Sequence, residues 1–509
     1  MTDQHTDGQR DGRTDSGPSR RTFLKATTAG AVASTGLGLT GVGSAQTSTG
    51  IPTPPLHRDG NLIKDPDGNQ VVLRGVNTAD PRRLDVTAPA RGKNAEQVVD
   101  FATSEEAGWY SRVIRFPVQP VDIGKHQPGE GPEPVAFDED ELRTYLEDHL
   151  DPVIDRCEER GVYAIVDYHR HRNISWDNSA LSEEVQLFWD VVAPRYSERD
   201  HVLYETYNEP LDPHITVDPA EREYEAGVWR DWVDTAQPWV DTIRGHADNL
   251  VLMGSPTWTQ TPEGARIEEF GGGDIAYTYH IYPGHSISES NNWAGNNEEG
   301  QGTSRIYEEV PLFVTEFGWQ QGISAYPVIG NTDDFGEPFM EWLNSAPIHW
   351  TAWCFDTVWL SAMVEEDFET PGFEDNVGNP YEEEVPVLCE DLPCDWVARG
   401  GQDMGELVKQ HLADLADQDV PGTGGDGNGD GDGNGDGDVE AIDGTMPTDP
   451  DGDGLYEDLN GNGETDYSDV VQYFNNMDEP AMTNHTAAYD YNGNGEIDFA
   501  DLVDLFKRV

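Results

Sequence analysis

Between residues 71 and 356 the chain alternates eight short apolar runs with amphipathic stretches, and this order restricts its fold more than any other feature. The runs are Val71–Asn77, Arg112–Phe116, Val162–Tyr168, Val202–Tyr207, Leu250–Met253, Ile275–His280, Leu312–Thr315 and Ile348–Phe355. Each is the length of a strand, and helical patterns such as Asp140–Arg160, Glu221–His246 and Phe335–Leu343 lie between several of them. Strand–helix alternation repeated eight times predicts an α/β fold, a closed (β/α)8 TIM barrel, rather than an open sheet. The barrel region, 50–415, contains every Trp of the chain. It exceeds the roughly 250 residues typical of such barrels, so long loops are expected.

Chemistry in these barrels sits at the C-terminal ends of the strands. The fourth run ends in Tyr204-Glu205-Thr206-Tyr207-Asn208-Glu209-Pro210, and the seventh in Val314-Thr315-Glu316-Phe317-Gly318-Trp319. One carboxylate after a strand is usually a loop charge. Two, on strands four and seven, face one cavity across the barrel mouth. Paired carboxylates about 5–5.5 Å apart are what double-displacement glycoside hydrolysis needs, one donating a proton to the leaving oxygen and the other attacking the sugar carbon. Of such a pair, the carboxyl that acts as the acid must stay protonated, so burial beside the negative Glu316 would raise the pKa of Glu209. Trp258, Trp319 and Trp353 offer flat faces for sugar rings, with barrel packing the competing reading for each; His169 and His280 are either substrate contacts or structural.

In these motifs the chain resembles glycoside hydrolase family 5, particularly its bacterial endoglucanases. Asn208-Glu209-Pro210 is similar to the family's acid/base signature, and Val314-Thr315-Glu316-Phe317-Gly318 to its nucleophile strand. The likeness continues, in the family's order, through Val72–Asn77, Val113–Pro117 with Arg115, Val166–His169, Gly254–Gln260 with Trp258, Tyr279–Tyr282 with His280, and Trp350–Trp353. It implies an endo-acting retaining β-1,4-glucanase (a cellulase) with Glu209 as proton donor and Glu316 as nucleophile. It also implies that Arg115 and Tyr282 hold Glu316 through hydrogen bonds, that Asn208 grips the sugar 2-hydroxyl, that His169, Trp258, His280 and Trp353 bind substrate or support the site, and that the barrel holds no cofactor. One departure stands out: Asn77-Thr78-Ala79-Asp80-Pro81 occupies the place where many family members carry a His-Gly pair. Mannan or a mixed-linkage glucan therefore stays open as substrate. So does a reading of another class, an inactive barrel serving calcium-dependent surface assembly or glycan binding.

Residues 421–446 begin as an almost unbroken run of Gly, Asp and Asn, which reads as a linker. Beyond it, in 447–509, a twelve-residue pattern occurs twice. The first copy carries oxygen side chains at Asp458, Asn460, Asn462, Glu464, Asp466 and Asp469; the second at Asp490, Asn492, Asn494, Glu496, Asp498 and Asp501. Gly463 and Gly495 stand at the sixth position, as in a calcium loop, and each copy runs into an apolar helix around Val470–Phe474 or Leu502–Phe506. The twelfth position is Asp where EF-hands carry Glu. Two such loops, each leading one helix, resemble a dockerin, which implies bound calcium and a cohesin-like protein or cell-surface partner. A calcium-stapled tail without partner is the alternative. Asp449-Pro450-Asp451-Gly452-Asp453-Gly454 starts a partial third loop.

At the other end, Ser19-Arg20-Arg21-Thr22-Phe23-Leu24-Lys25 precedes an uncharged run to Ala45, which reads as a twin-arginine signal over 1–45 and a secreted, extracellular or cell-surface protein. No later run is apolar enough to span a membrane. The chain carries 98 acidic against 31 basic residues, a net charge of -67. That surplus repels phosphate and so excludes nucleic acid as a partner. It destabilises a compact state unless screened, and molar salt shortens the Debye length to about 3 Å, so a halophilic origin is expected. Of four cysteines, Cys389 and Cys394 are spaced for a loop staple, whereas Cys157 and Cys354 read as buried thiols.

Overall fold

The protein is described from a computed structural model covering residues 50–508. Within that span 129–130, 171–173, 212–225, 290, 296–301, 367–378, 388, 423–441, 443–444, 449–454, 462–464, 466, 478–479, 484, 490, 492–496 and 498 lie outside the description. The signal-like segment, most of the linker and eight of the twelve loop positions singled out above (Asn462, Glu464, Asp466, Asp490, Asn492, Asn494, Glu496 and Asp498) therefore lie outside the described residues.

The barrel closes from eight parallel strands. In chain order they are β1 (Arg74–Asn77), β2 (Val113–Val118), β3 (Tyr163–Tyr168), β4 (Val202–Glu205), β5 (Val251–Met253), β6 (Ile275–Ile281), β7 (Leu312–Phe317) and β8 (His349–Ala352). Every run read from the sequence supplies one strand. The first is shorter than expected: Val71 belongs to a separate antiparallel sheet with His57–Asp59 and Leu62–Lys64. The reason lies between the two, where the Val72 N–H is taken by Asp419 O and the Leu73 N–H by His349 Nδ1, so neither continues a ladder.

Period-two alternation divides each strand between two environments. Ile114, Val166, Tyr204, Val251, Tyr277 and Val314 pack outward with the surrounding helices. Leu73, Val113, Ile165, Leu203, Leu252, Ala276 and Phe313 fill a second, inner cluster. Two residues further along the same inward rows, Val113 is followed by Arg115, Ile165 by Asp167, Leu203 by Glu205 and Phe313 by Thr315. The barrel interior thus changes from aliphatic to ionic toward its C-terminal end. One strand breaks the alternation. On β7, Phe313 pairs with Thr278 and Glu316 with His280, so three steps on β7 match two on β6. This bulge turns Glu316 inward together with Thr315.

The helix expected over 140–160 runs from Glu139 to Arg160 with a π-turn at Leu146–Leu150. It starts at Asp138, whose carboxylate caps the Glu141 N–H, and ends at Gly161, which takes a left-handed φ of 65°. Helix Ala226–Arg244 buries Trp229, Trp232 and Trp239. The C-terminal segment has its own small core of Ile442, Leu459, Val470, Tyr473, Met482, Tyr489, Leu502 and Leu505. Its helices Tyr467–Asn476 and Phe499–Arg508 fall where the two repeats predict them. Cys389 and Cys394 form a disulfide, and Cys157 and Cys354 are buried thiols. Among the described residues no helix is long and apolar enough to cross a membrane.

Candidate active site

Arg115 on β2 is fully buried and organises the mouth of the barrel. Its Nη1 donates to Glu316 Oε1 at 2.8 Å and to Asn77 Oδ1 at 2.9 Å. Nε donates to Glu205 Oε2 at 2.6 Å, while Nη2 reaches Asn208 Oδ1 at 2.7 Å and Asp167 Oδ2 at 2.9 Å. A guanidinium suits this place because its planar fork satisfies several acceptors at once and stays charged. Burial alone would lower its pKa, but Asp167, Glu205 and Glu316 outweigh that and hold it above its ordinary value.

Glu316 also receives the Tyr282 hydroxyl on Oε2 at 2.9 Å, so both carboxylate oxygens are fixed by donors. Glu209 lies across from it, its side chain 22% exposed where Glu316 is 6%. One oxygen of each, together with a His280 nitrogen, lie within 4.8 Å of one another. Burial first, and then the negative Glu316, push the Glu209 carboxyl well above the ordinary carboxylate range. His280 Nδ1 is 3.0 Å from Glu209 Oε1, and its Nε2 is 2.9 Å from Thr315 Oγ1. Burial, with Arg115 and His169 nearby, holds the His280 pKa well below its ordinary value, so the ring is neutral.

The stretch carrying Asn208 and Glu209 is clamped from three sides. The Asn208 N–H bonds Tyr168 O at 3.1 Å, its carbonyl accepts from Thr259 Oγ1 at 2.7 Å, and the preceding Tyr207 stacks on Trp239. The Trp258 N–H donates to Pro210 O at 3.2 Å, which brings the loop after β5 against the same stretch. His169 Nδ1 meets Asp167 Oδ2 at 2.6 Å, and its ring lies parallel to Trp353, centroids 5.5 Å apart and 7° between planes. Trp353 leans on Trp359, and its Nε1 donates to Leu360 O. Gly318 makes this possible, because a Cβ there would lie 2.3 Å from the Trp353 carbonyl.

The structure thus brings Arg115, His169, Asn208, Glu209, His280, Tyr282, Glu316 and Trp353 together. For Trp319 the packing reading holds over the sugar platform: it is fully buried, donates to Thr332 Oγ1 and packs on Phe335. Three buried groups join the site that the sequence reading did not assign to it. Glu205 accepts from Arg115 and from Thr315 Oγ1 at 3.0 Å, Asp167 bridges Arg115 and His169, and Asn77 ties Arg115 to the backbone of Thr315 and Thr351. Burial lifts Asp167 to about 8 and pushes Glu205 upward as well, against the opposing pull of Arg115. Their signal was a charged residue on the inward row of an apolar strand.

In the C-terminal segment, Asp458, Asp469 and Asp501 are fully buried. Asp469 Oδ1 accepts from Asn460 N at 3.1 Å and from Asn460 Nδ2 at 2.7 Å, so positions three and twelve of the first loop meet.

A barrel with a guanidinium-bound glutamate at β7 and a second glutamate after β4 is the architecture of a sugar-cleaving enzyme. The cellulase model of glycosyl hydrolase family 5 matches residues 65–357, and the chain belongs to that family. It is 27% identical over 174 residues to Endoglucanase Z of Dickeya dadantii, covering 33% of this chain and 34% of that one. It is 25% identical over 261 residues to Endoglucanase A of Butyrivibrio fibrisolvens, covering 51% of each. The matches therefore span about a third to a half of the length of these curated relatives. The native crystal structure of the β-glucanase SdGluc5_26A from Saccharophagus degradans shares the fold, with a TM-score of 0.51 at 20% identity, covering 74% of this chain and 98% of that one.

Proposed function

We propose that the chain is a retaining endo-β-1,4-glucanase in which Glu209 is the acid/base and Glu316 the nucleophile. The carrying observation is the approach of their carboxylate oxygens to within 4.8 Å. That suits direct attack on the sugar, since an inverting pair stands about 6.5–9.5 Å apart to admit a water. Glu316, oriented by Arg115 and Tyr282, attacks the anomeric carbon while Glu209 protonates the leaving oxygen. Glu209 then takes a proton from the water that releases the glycosyl-enzyme. Asn208 has its carbonyl oxygen on Arg115, which leaves its amide nitrogen to donate to the 2-hydroxyl. Trp353, backed by His169, supplies a sugar face, and Trp258 lines the approach from the loop after β5. The names of the curated relatives support β-glucan as substrate.

Around this core we assign residues 1–45 to a twin-arginine signal, 50–415 to the catalytic domain, 421–446 to a linker and 447–509 to a dockerin-like calcium module. The donors fit calcium: hard oxygen ligands at alternating positions, with three of the carboxylates fully buried. When bound, calcium supplies positive charge among those carboxylates. Apolar side chains recur exposed at equivalent places on the two helices, Tyr467, Val471 and Phe474 on one and Phe499, Val503 and Phe506 on the other. This supports a protein partner such as a cohesin-like domain. The net charge of -67 supports a working environment of high salt.

The test is the protein from residue 46 onward, in molar salt with calcium, on carboxymethyl-cellulose and on mannan. Expected are a rapid viscosity drop with cellulose, a β-configured first product by NMR, and loss of both in Glu209→Gln and Glu316→Ala. An α-configured first product, or activity surviving in Glu316→Ala, overturns the mechanism; release from mannan alone overturns the substrate.

A further inference from the structure

Glu205, the buried acid at the end of β4, has no role in the two-glutamate scheme, yet it is joined to the acid/base by an unbroken hydrogen-bond chain. Glu205 Oε1 is 3.0 Å from Thr315 Oγ1, Thr315 Oγ1 is 2.9 Å from His280 Nε2, and His280 Nδ1 is 3.0 Å from Glu209 Oε1. Glu205, Thr315 and His280 are fully buried. The inventory of protons along the chain is small. A hydroxyl has one to give, a neutral imidazole one, and a carboxylate none.

Two arrangements satisfy every contact. In the first, Thr315 donates to Glu205, His280 donates Nε2–H to Thr315, and the bare Nδ1 accepts a proton carried by Glu209. In the second every bond is reversed: Glu205 carries the proton, and Glu209 is a carboxylate receiving Nδ1–H. Each needs one carboxyl proton for the two ends together. With none or with two, a pair of lone pairs or a pair of protons is set face to face.

The surrounding charges choose between them. Glu205 faces Arg115 on β2, whose Nε is 2.6 Å from its Oε2, with Asp167 beyond on β3 and His280 at 4.0 Å on β6. Glu209 faces Glu316 on β7 and His280, with the Tyr282 and Tyr207 hydroxyl groups near and Arg115, Asp167 and Glu205 farther off. His280 has Arg115, His169 and His285 around it. The cation sits on the Glu205 end and the anion beside the Glu209 end. We infer that Glu205 and Glu209 share one proton through Thr315 and His280, and that Glu205, held by Arg115, keeps it on Glu209 as the positioning residue of the catalytic acid. The inference rests on the reading of Glu209 as acid/base.

Thr315 is the place to cut the chain, because it carries no charge. Thr315→Val keeps the size of the side chain and the carbonyl that accepts from Asn77 and Thr351. Without the hydroxyl, Nε2 loses its acceptor, the imidazole turns to the tautomer with Nδ1–H, and that proton stabilises Glu209 as a carboxylate. Glu205→Gln forces the same reversal: its amide oxygen stays on Arg115 and its NH2 donates to Thr315, which then donates to Nε2. The experiment compares aryl β-cellobiosides with a poor leaving group, which need the acid, and with a dinitrophenolate leaving group, which do not.

For both variants, kcat/KM on the poor leaving group should fall by about tenfold or more, a share of the 10²–10⁴-fold of general acid catalysis, with the alkaline limb of its pH profile displaced to lower pH. For Thr315→Val the dinitrophenyl substrate should change by less than about threefold, which doubles as proof of folding, and Thr315→Ser should recover most of the loss. Equal losses on both substrates with an unmoved limb would mean a structural role for Thr315 and overturn the inference. So would unchanged activity of Thr315→Val on the poor leaving group. If Glu209→Gln is active on that substrate, the acid/base reading itself fails, whatever Thr315 does.

Discussion

The barrel mouth and the C-terminal segment both bury carboxylates, and they balance them by different means. At the mouth, Asp167, Glu205 and Glu316 converge on one guanidinium supplied by the chain. In the C-terminal segment Asp458, Asp469 and Asp501 are as deeply buried, and their contacts include a Thr448 hydroxyl on Asp458 and the Asn460 amides on Asp469. On our assignment the balancing charge there comes from calcium. On that assignment one site is complete when the chain has folded, and the other is completed by a solute.

The largest effect should follow from removing the internal cation. Arg115→Met leaves three buried carboxylates without their partner and should cost about 3–5 kcal/mol in denaturant unfolding, together with the loss of hydrolysis. A cost below about 1 kcal/mol would show that the mouth does not depend on Arg115 for its charge balance. The next effect separates the two regions. A chelator should abolish hydrogen-exchange protection in 467–476 and 499–508, and calcium at about a hundred times its Kd should restore about 2.7 kcal/mol there. The rate on soluble β-glucan should not change. A rate that falls in step with protection would break the comparison by making the barrel depend on calcium.

The last effect is a dependence on pH. Asp167 binds a proton more tightly folded, at about 8, than at its ordinary 3.8. The stability it contributes is full below the ordinary value and is lost as pH rises toward 8, where the fold must hold it charged. The melting temperature of the barrel should therefore decline across this window at constant salt, and Asp167→Asn should flatten the decline. A steeper slope in the variant would reverse the sign assigned to Asp167.

Much of the barrel and its mouth is legible in the amino-acid sequence. The eight strands, and the carboxylates closing β4 and β7, follow from alternation and from motifs whose residues sit close together along the chain. Arg115, Asn208, His280 and Tyr282 follow from the same motifs. What stayed open or was misplaced has a common physical cause, which is dependence on partners far along the chain. Val72 leaves the ladder because of Asp419, and for Trp319 packing wins over a sugar platform because Thr332 and Phe335 receive it. Glu205 and Asp167 are a different case. Their place on the inward rows is visible as Leu203 then Glu205 and Ile165 then Asp167, but the value of that place depends on Arg115 arriving from a neighbouring strand.

The bulge on β7 bears on any attempt to move this chemistry elsewhere. A strand of unbroken alternation presents residue 315 or residue 316 to the cavity, never both. Here the added step lets one strand deliver a hydroxyl toward Glu205 and His280 and, from the very next residue, a carboxylate to Arg115 and Tyr282. A transplant that copied the two glutamates onto a regular barrel would have the reagents without their wiring. The minimum portable unit is the irregular stretch from Phe313 to Glu316, length included, and deleting Val314 would force a choice between the two side chains.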